Sequence, residues 1–230
     1  MVVDLGLTGK DLIEETGARV KEIAELTYSK QGFNAVKLVV AVPNSSRVAN
    51  IKDLSGVTIA TEYVNITKKY LKENAIDAQV EFSWGATESK PPILADAIVE
   101  LIDTGRSLKA NNLKIIATVL ESTTRIITNE KSFSDIWKRQ KIETITMLLK
   151  SALAAEEFTG LKMNVSQKNL KKIIDCLPTL RKPTISPLAE KNLYAVETII
   201  LKTVAKNIIP EVKRLGAEGI VEYPLNKVIY

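Results

Sequence analysis

Glu100 and Asp103 stand three residues apart, immediately before Thr104-Gly105-Arg106-Ser107. Around them, residues 96–102 are almost wholly apolar, and Leu108 follows the turn. The pattern predicts a buried strand bearing two acids, a tight turn, and the start of a short helix. That order suits a phosphorylated sugar. Glycine lets a backbone approach a phosphate with no side chain in the way. The Thr104 and Ser107 hydroxyls, the Arg106 guanidinium and the N–H groups at a helix start all donate to phosphate oxygens. Glu100 and Asp103 are acceptors suited to ribose hydroxyls or a magnesium ion. An ordinary strand-turn-helix is the competing reading. Two acids beside hydroxyl-Gly-Arg-hydroxyl keep the phosphorylated-sugar reading open beside it.

What is missing narrows the chemistry as much. The chain has no histidine and one cysteine in 230 residues. A Ser-His or Cys-His nucleophile, a histidine base and a His-ligated zinc are all excluded. Cys176 lies among Leu170, Ile173, Ile174 and Leu177, so it reads as a small buried hydrophobe. The net charge of +5 and pI near 9.1 are compatible with polyanionic substrates or with nucleic acid. The basic residues are scattered, and aromatics make up only 5% with none interleaved in a basic stripe. A solvated basic surface is therefore expected, with no nucleic-acid partner. No window approaches the ~18 apolar residues of a membrane span. Nor is there a basic-then-apolar leader, so no membrane partner and a cytoplasmic location are expected.

The elements that must position these residues can be read from periodicity. The opening residues through Leu7 read as an apolar strand with no turn before it, as if inside a domain. Residues 10–15 follow as a short helix, and an amphipathic stretch runs over 20–26. From 36 to 120, strand and helix signals alternate. Strands are expected at 36–42, 57–61, 79–84, 97–102 and 113–119, with Asn65 capping a helix. Residues 125–128 read as a strand leaving this unit. Ser132-Phe133-Ser134-Asp135 has the spacing of a capping box ahead of a long helix from Ile136. Beyond 157 the order is strand 158–165, helix 167–177, strands 183–188 and 192–200, helix 202–215 and strand 217–224. That βαββαβ order is ferredoxin-like.

The 100–107 run resembles the phosphoribosyl-pyrophosphate (PRPP) loop of the ATP phosphoribosyltransferase family. Asp4-Leu5-Gly6-Leu7-Thr8-Gly9, Leu38-Val39-Val40-Ala41-Val42-Pro43 and Ile59-Ala60-Thr61-Glu62-Tyr63 resemble it too. So do Gly85-Ala86-Thr87-Glu88, Ala110-Asn111-Asn112-Leu113 and Pro183-Thr184-Ile185-Ser186-Pro187-Leu188. They stand in the family's order and span nearly the whole chain.

The resemblance implies an α/β, two-lobed catalytic region like a type II periplasmic binding protein, followed by a C-terminal ferredoxin-like domain. It divides the chain into a first lobe at 1–35 and 125–155, a second lobe with the PRPP loop at 36–124, and a regulatory domain at 156–230. The first lobe is expected to be incomplete. Its opening strand and helix, with a basic Gly-Arg-Leu segment, are not in the sequence. A start set too far downstream or a shortened chain is the expected reason, and impaired activity the expected result.

The implied reaction is the first step of histidine biosynthesis, in which ATP N1 attacks C1 of PRPP and releases pyrophosphate. Mg2+ would accompany the substrates, and no side chain is assigned as acid or base. PRPP would bind Glu100, Asp103, Thr104, Gly105, Arg106 and Ser107. The cleft and ATP candidates are Asp4, Thr8, Gly9, Glu62, Tyr63 and Glu88. By position, the candidates for binding inhibitory histidine are Asn164, Leu180, Lys182, Thr184, Ile199 and Gly219. A homo-oligomer, dimer and hexamer, is expected. The competing reading is a catalytically incomplete two-lobed small-molecule-binding or regulatory protein.

Overall fold

A computed structural model describes residues 3–27, 35–178 and 182–229. The chain divides into units at 1–142 and 143–230. In chain order the first contains β1 (Leu5–Gly9), α1 (Lys10–Thr16), β2 (Lys21–Leu26), β3 (Val36–Pro43), β4 (Thr58–Thr61), α2 (Val64–Glu73) and β5 (Gln79–Phe82). Next come β6 (Ala97–Ile102), α3 (Arg106–Ala110), β7 (Leu113–Ser122), β8 (Thr124–Thr128) and α4 (Glu130–Ser134). The helix α5 (Ile136–Glu157) crosses the division.

The larger sheet has the order β5-β4-β6-β3-β7. Strands β4, β5 and β6 are parallel, whereas β3 is antiparallel to both β6 and β7. The run 36–43 is apolar throughout because β3 is covered on both faces. Leu38, Val40 and Val42 join one core cluster with Ile59 and Val99. Val39 and Ala41 join another with Ile98 and Leu108. Each of these Leu, Val and Ile side chains, fully withdrawn from water, contributes roughly 1.5–3 kcal/mol.

Register brings the working ends of the strands together. Thr61 pairs with Phe82 and Val99, and Lys37 pairs with Ile102 and Glu121. The carboxyl ends of β4, β5, β6 and β7 therefore share one edge of the sheet. Ligands of open α/β sheets bind outside the carboxyl ends of the parallel strands.

The smaller sheet is antiparallel, β1-β8-β2. Residues 21–26, an amphipathic stretch in the sequence, form its edge strand, and the pairing with β8 shifts register between Glu22 and Ala24. Two expected caps are corrected. Asn65 does not cap α2. Tyr63 holds the cap position, and the carboxylate of Glu15 accepts from Asn65 N (2.9 Å) and Ile66 N (3.0 Å). The partner lies fifty residues back in the sequence, where no local pattern reveals it. Ser132 does not open a capping box. Asn129 caps α4 by accepting from Ser132 N at 2.8 Å, while Asp135 accepts from Lys138 N at 2.9 Å to begin α5.

The second unit carries β9 (Phe158–Ser166), α6 (Gln167–Cys176), β10 (Thr184–Pro187), β11 (Leu193–Leu201), α7 (Lys202–Arg214) and β12 (Ala217–Pro224). Its antiparallel sheet has the order β10-β11-β9-β12, and the ferredoxin-like βαββαβ arrangement holds. Alternate residues Leu161, Met163, Val165, Val196 and Ile200 bury one face against Ile173 and Val212 of the helices. The opposite face carries Lys162, Asn164, Glu197 and Ile199. Cys176 is half-buried against that core and its Sγ contacts Ile173 O at 3.1 Å. Burial raises its thiol pKa, the largest of several causes.

Candidate functional site

Gly105 is the pivot of the PRPP-like loop. It is buried, and it takes the left-handed φ of +67° between β6 and α3. A glycine is favoured there because only it enters that region without a Cβ penalty. Thr104 Oγ1 accepts from Arg106 N at 3.4 Å. Asp103, Thr104, Arg106 and Ser107 are all exposed around the turn, so their polar groups face outward while Leu108 anchors α3 in the core. A cavity of about 550 Å³ flanks the loop, lined by Thr104, Gly105, Asn44, Lys109 and Lys114 among others.

Glu100 sits half-buried two residues from the end of β6. Its Oε1 accepts from Leu101 N at 3.1 Å, and Thr87 stands near it. Burial raises its pKa, and the nearby charges of Glu62 and Glu88 add to the rise. Glu62 follows β4, and Glu88 lies in the turn beyond β5. Ser83 and Thr87, both buried, are hydrogen-bonded at 2.9 Å, and Lys90 Nζ donates to Ser83. A polar chain therefore runs Lys90–Ser83–Thr87. Glu62 Oε1 accepts from Gly85 N at 2.8 Å, which ties the β4 end to the loop after β5.

The raised pKa has a checkable consequence. An acid whose folded pKa lies above its unfolded value favours the fold while protonated, and that contribution is lost as pH rises through the folded pKa. Glu100→Gln removes the ionisation with little change of shape. Its melting temperature should exceed that of the unaltered protein at pH 7, and the gap should close below about pH 4, the ordinary carboxylate range. Scanning calorimetry of both proteins at the two pH values checks this. A gap that widens in acid would contradict the stated cause.

Tyr63 follows β4 on the same edge and is half-buried. Burial, then the charge and hydrogen bond of Asp11, hold its hydroxyl pKa well above the usual tyrosine range. Gly9, which ends β1, meets the same group. A Cβ on Gly9 would lie 2.1 Å from Asp11 Oδ1. Thr8 is half-buried one residue earlier and pairs with Arg125.

Asp4 lies before the other end of β1. Its Oδ1 accepts from Ser132 Oγ at 2.5 Å and Lys138 Nζ at 2.7 Å. Those bonds, Lys138 first, lower its pKa. Its ligands are structural, and it is not brought to the strand-end edge with Gly9.

Sequence reasoning missed Asp11, Ser122, Ser83, Thr87 and Lys90 as site members. An acid two residues after Gly9 in a first helical turn is an ordinary helix-start signal. Its partner Ser122 is 111 residues away, so only the folded chain joins them.

In the second unit the histidine candidates fall into two groups. Lys182, Thr184 and Ile199 line a cavity of about 770 Å³ with Glu197 and Tyr223. Tyr223 Oη donates to Glu197 Oε1 at 2.5 Å, and its ring occupies the space a Cβ on Gly160 would need, 2.3 Å away. Asn164 and Gly219 form the other group. Gly219 has a left-handed φ of +54° within the register shift of β12, and a Cβ there would stand 3.4 Å from Asn164 Nδ2. Leu180 lies outside the described residues.

Comparison with known proteins agrees with this geometry. The profile of the ATP phosphoribosyltransferase family (HisG) matches residues 1–151, and that of the HisG C-terminal domain matches 155–227. The chain is 55% identical over 226 residues to the ATP phosphoribosyltransferase of Chlorobium phaeobacteroides, covering 98% of this chain and 77% of that protein. It is 55% identical over 227 residues to that of Thermodesulfovibrio yellowstonii, covering 99% and 78%. Among solved structures, the ATP phosphoribosyl transferase (HisG:HisZ) complex from Thermotoga maritima aligns with a TM-score of 0.54 and 26% identity. That alignment covers 64% of this chain and 69% of the other. Profile matches over both halves and 55% identity along almost the entire chain lead to one assignment: this chain belongs to the long-form ATP phosphoribosyltransferase family.

Proposed function

We infer that this chain joins N1 of ATP to C1 of PRPP, the first step of histidine biosynthesis. The observation that carries the site is the left-handed Gly105 turn, with Thr104, Arg106 and Ser107 exposed around it, directly after the acid-bearing β6. On this reading Thr104, Arg106, Ser107 and the loop N–H groups hold the sugar phosphate. Glu100 and Asp103 accept from the ribose hydroxyls. The cleft candidates Thr8, Gly9, Glu62, Tyr63 and Glu88 adjoin, with Tyr63 offering a ring face to adenine.

Adenine N1 already has a free lone pair, so no base need activate it. The N1–C1 bond forms as the C1–O bond breaks, and that electron pair leaves with pyrophosphate. The adenine then sheds an N6 proton. Orientation and stabilisation of the leaving group supply the rate, which a chain without histidine can provide.

Enzymes of this family typically use a divalent metal, and Mg2+ is the ion we assign. Among the described residues no cluster of three or more His, Cys, Asp and Glu could hold a metal alone. Magnesium bound mainly by phosphate and water oxygens needs only one or two carboxylates, and Glu100 and Asp103 fit that role. Bound there, it would neutralise charge on the departing pyrophosphate. No helix among the described residues is long and apolar enough to cross a membrane. With ATP and PRPP as substrates, we assign the chain to the cytoplasm.

The second unit we assign to feedback inhibition by histidine. Lys182, Thr184 and Ile199 stand apart from Asn164 and Gly219 along the sheet, which suits a site completed by a second copy in a homo-oligomer, a dimer or hexamer. Thr184→Val keeps the shape and removes one hydrogen bond, worth about 0.5–1.5 kcal/mol. Inhibition should weaken by roughly 2- to 10-fold with uninhibited turnover unchanged. Titrating histidine into both proteins during turnover checks this, and an unchanged inhibition curve would remove Thr184 from the site.

The test of the reaction itself is pyrophosphate release that requires both ATP and PRPP. Release with either alone, or with neither, would argue for another chemistry.

A further inference from the structure

Thr61 ends β4 and is 0% exposed. It follows Ile59 and Ala60, both buried and apolar. A valine would fill the same volume and suit a strand as well, so packing alone does not call for the hydroxyl. A buried hydroxyl costs free energy unless it is hydrogen-bonded, and this one is bonded twice. Thr61 Oγ1 donates to Val99 O of β6 at 2.7 Å and accepts from Tyr63 N at 2.9 Å. The backbone of the same residue holds a third element. Thr61 O accepts from Ser83 N at 2.9 Å, where the loop after β5 begins. Tyr63 O in turn accepts from Thr67 N at 3.0 Å to start α2. One residue thus joins the β4–α2 turn to the loop after β5 and to the strand that bears Glu100.

We propose that Thr61 is a positioning residue for ATP. Its hydroxyl fixes the turn that carries Glu62 and Tyr63 against β6, and so sets where those two residues stand beside the phosphoribosyl strand. Thr61 is too enclosed to touch a substrate and acts through its two neighbours. Glu62 is tied on its other side by Gly85 N at 2.8 Å, so a turn freed at Thr61 carries that loop with it. The phosphoribosyl loop is held by bonds of its own. Thr104 Oγ1 accepts from Arg106 N and Glu100 Oε1 from Leu101 N, and neither involves Thr61. This inference rests on the proposed reaction, with Glu62 and Tyr63 as the residues that meet ATP.

A pair of substitutions tests it. Thr61→Val keeps the shape and removes both side-chain bonds, whereas Thr61→Ser keeps the hydroxyl and loses only a methyl. Thr61→Val should raise the KM for ATP about tenfold, because a small misplacement of a binding group is costly, and change the KM for PRPP by less than about twofold. Thr61→Ser should hold both KM values within about twofold of the unaltered protein, since its bonds remain. KM does not depend on the fraction of protein that is folded. A merely structural hydroxyl would therefore lower the melting temperature and leave both KM values alone. An unchanged KM for ATP in Thr61→Val, equal rises in both KM values, or a Thr61→Ser protein as impaired as Thr61→Val would overturn the assignment. Should Thr61→Val fail to fold, Thr61→Cys replaces it. Its thiol is a weak donor, so the KM for ATP should rise at least about threefold, and no rise would overturn the assignment equally. ATP affinity by calorimetry is measured in parallel on the same proteins. If the unaltered protein binds ATP but does not turn over, the reaction fails, while the ATP affinities of the variants still decide the positioning role. If it does not bind ATP, both fall.

Discussion

Gly105→Val should leave the chain folded and remove PRPP binding. Valine at φ +67° is strained by about 1–3 kcal/mol, because its branched Cβ crowds the backbone in the left-handed region. The space inside the protein is not the obstacle, since a Cβ would meet Ile102 Cδ1 at an ordinary 3.7 Å. The strain is relieved by swinging the turn, and that moves Thr104, Arg106 and Ser107 off a common phosphate. Losing two charge-assisted bonds of about 1.5–3 kcal/mol each weakens affinity on the order of 10²- to 10⁴-fold. Calorimetry with PRPP reads the affinity, and circular dichroism confirms the fold. Unchanged affinity in a folded variant would remove the loop from the site.

Gly9→Ala should do comparable damage from the other sheet. Gly9 has φ −77° and ψ 148°, which any residue adopts, so backbone freedom is not why glycine is needed. The added methyl would stand 2.1 Å from Asp11 Oδ1 and 3.1 Å from its Cγ. The carboxyl must leave, and Ser122, 1% exposed, loses its acceptor. A buried hydroxyl left unsatisfied costs about 1–3 kcal/mol, or a drop in melting temperature of roughly 2–12 °C for a chain of this size. Because the turn carrying the cleft candidates Thr8 and Gly9 must shift with the carboxyl, kcat/KM for ATP should fall by at least about tenfold. Differential scanning calorimetry and initial rates give both numbers. A variant as stable and as active as the original would show that the carboxyl has somewhere else to go.

Local patterns revealed the fold where they were strong. The apolar run 36–42 reads as a strand, and the structure covers that strand on both faces. The stretches 158–165 and 192–200, read as strands, form β9 and β11. Position-by-position reasoning failed where the deciding partner is remote. Asn65 and Ser132 have the chemistry of caps, but Glu15 and Asn129 hold those places because the folded chain brings them there. Residues 20–26 carry an amphipathic pattern short enough to suit more than one element, and pairing with β8 decides for a strand.

The site divides along the same line. The PRPP-like loop is contiguous, so hydroxyl, glycine, arginine and acid could be read together. Asp11 and Ser122 come from distant segments, and no spacing links them. Asp4 is engaged by partners that no local pattern names. It lies in a segment resembling the family, yet Lys138 and Ser132 engage it, away from Gly9.

The most direct measurement is to incubate the purified protein with ATP, PRPP and Mg2+ and identify the products by mass spectrometry and phosphorus NMR. The account predicts N1-phosphoribosyl-ATP and pyrophosphate in equal amounts, neither forming when one substrate is withheld, and neither forming with Gly105→Val. Pyrophosphate without the N1-linked product, or equal product from Gly105→Val, would contradict it.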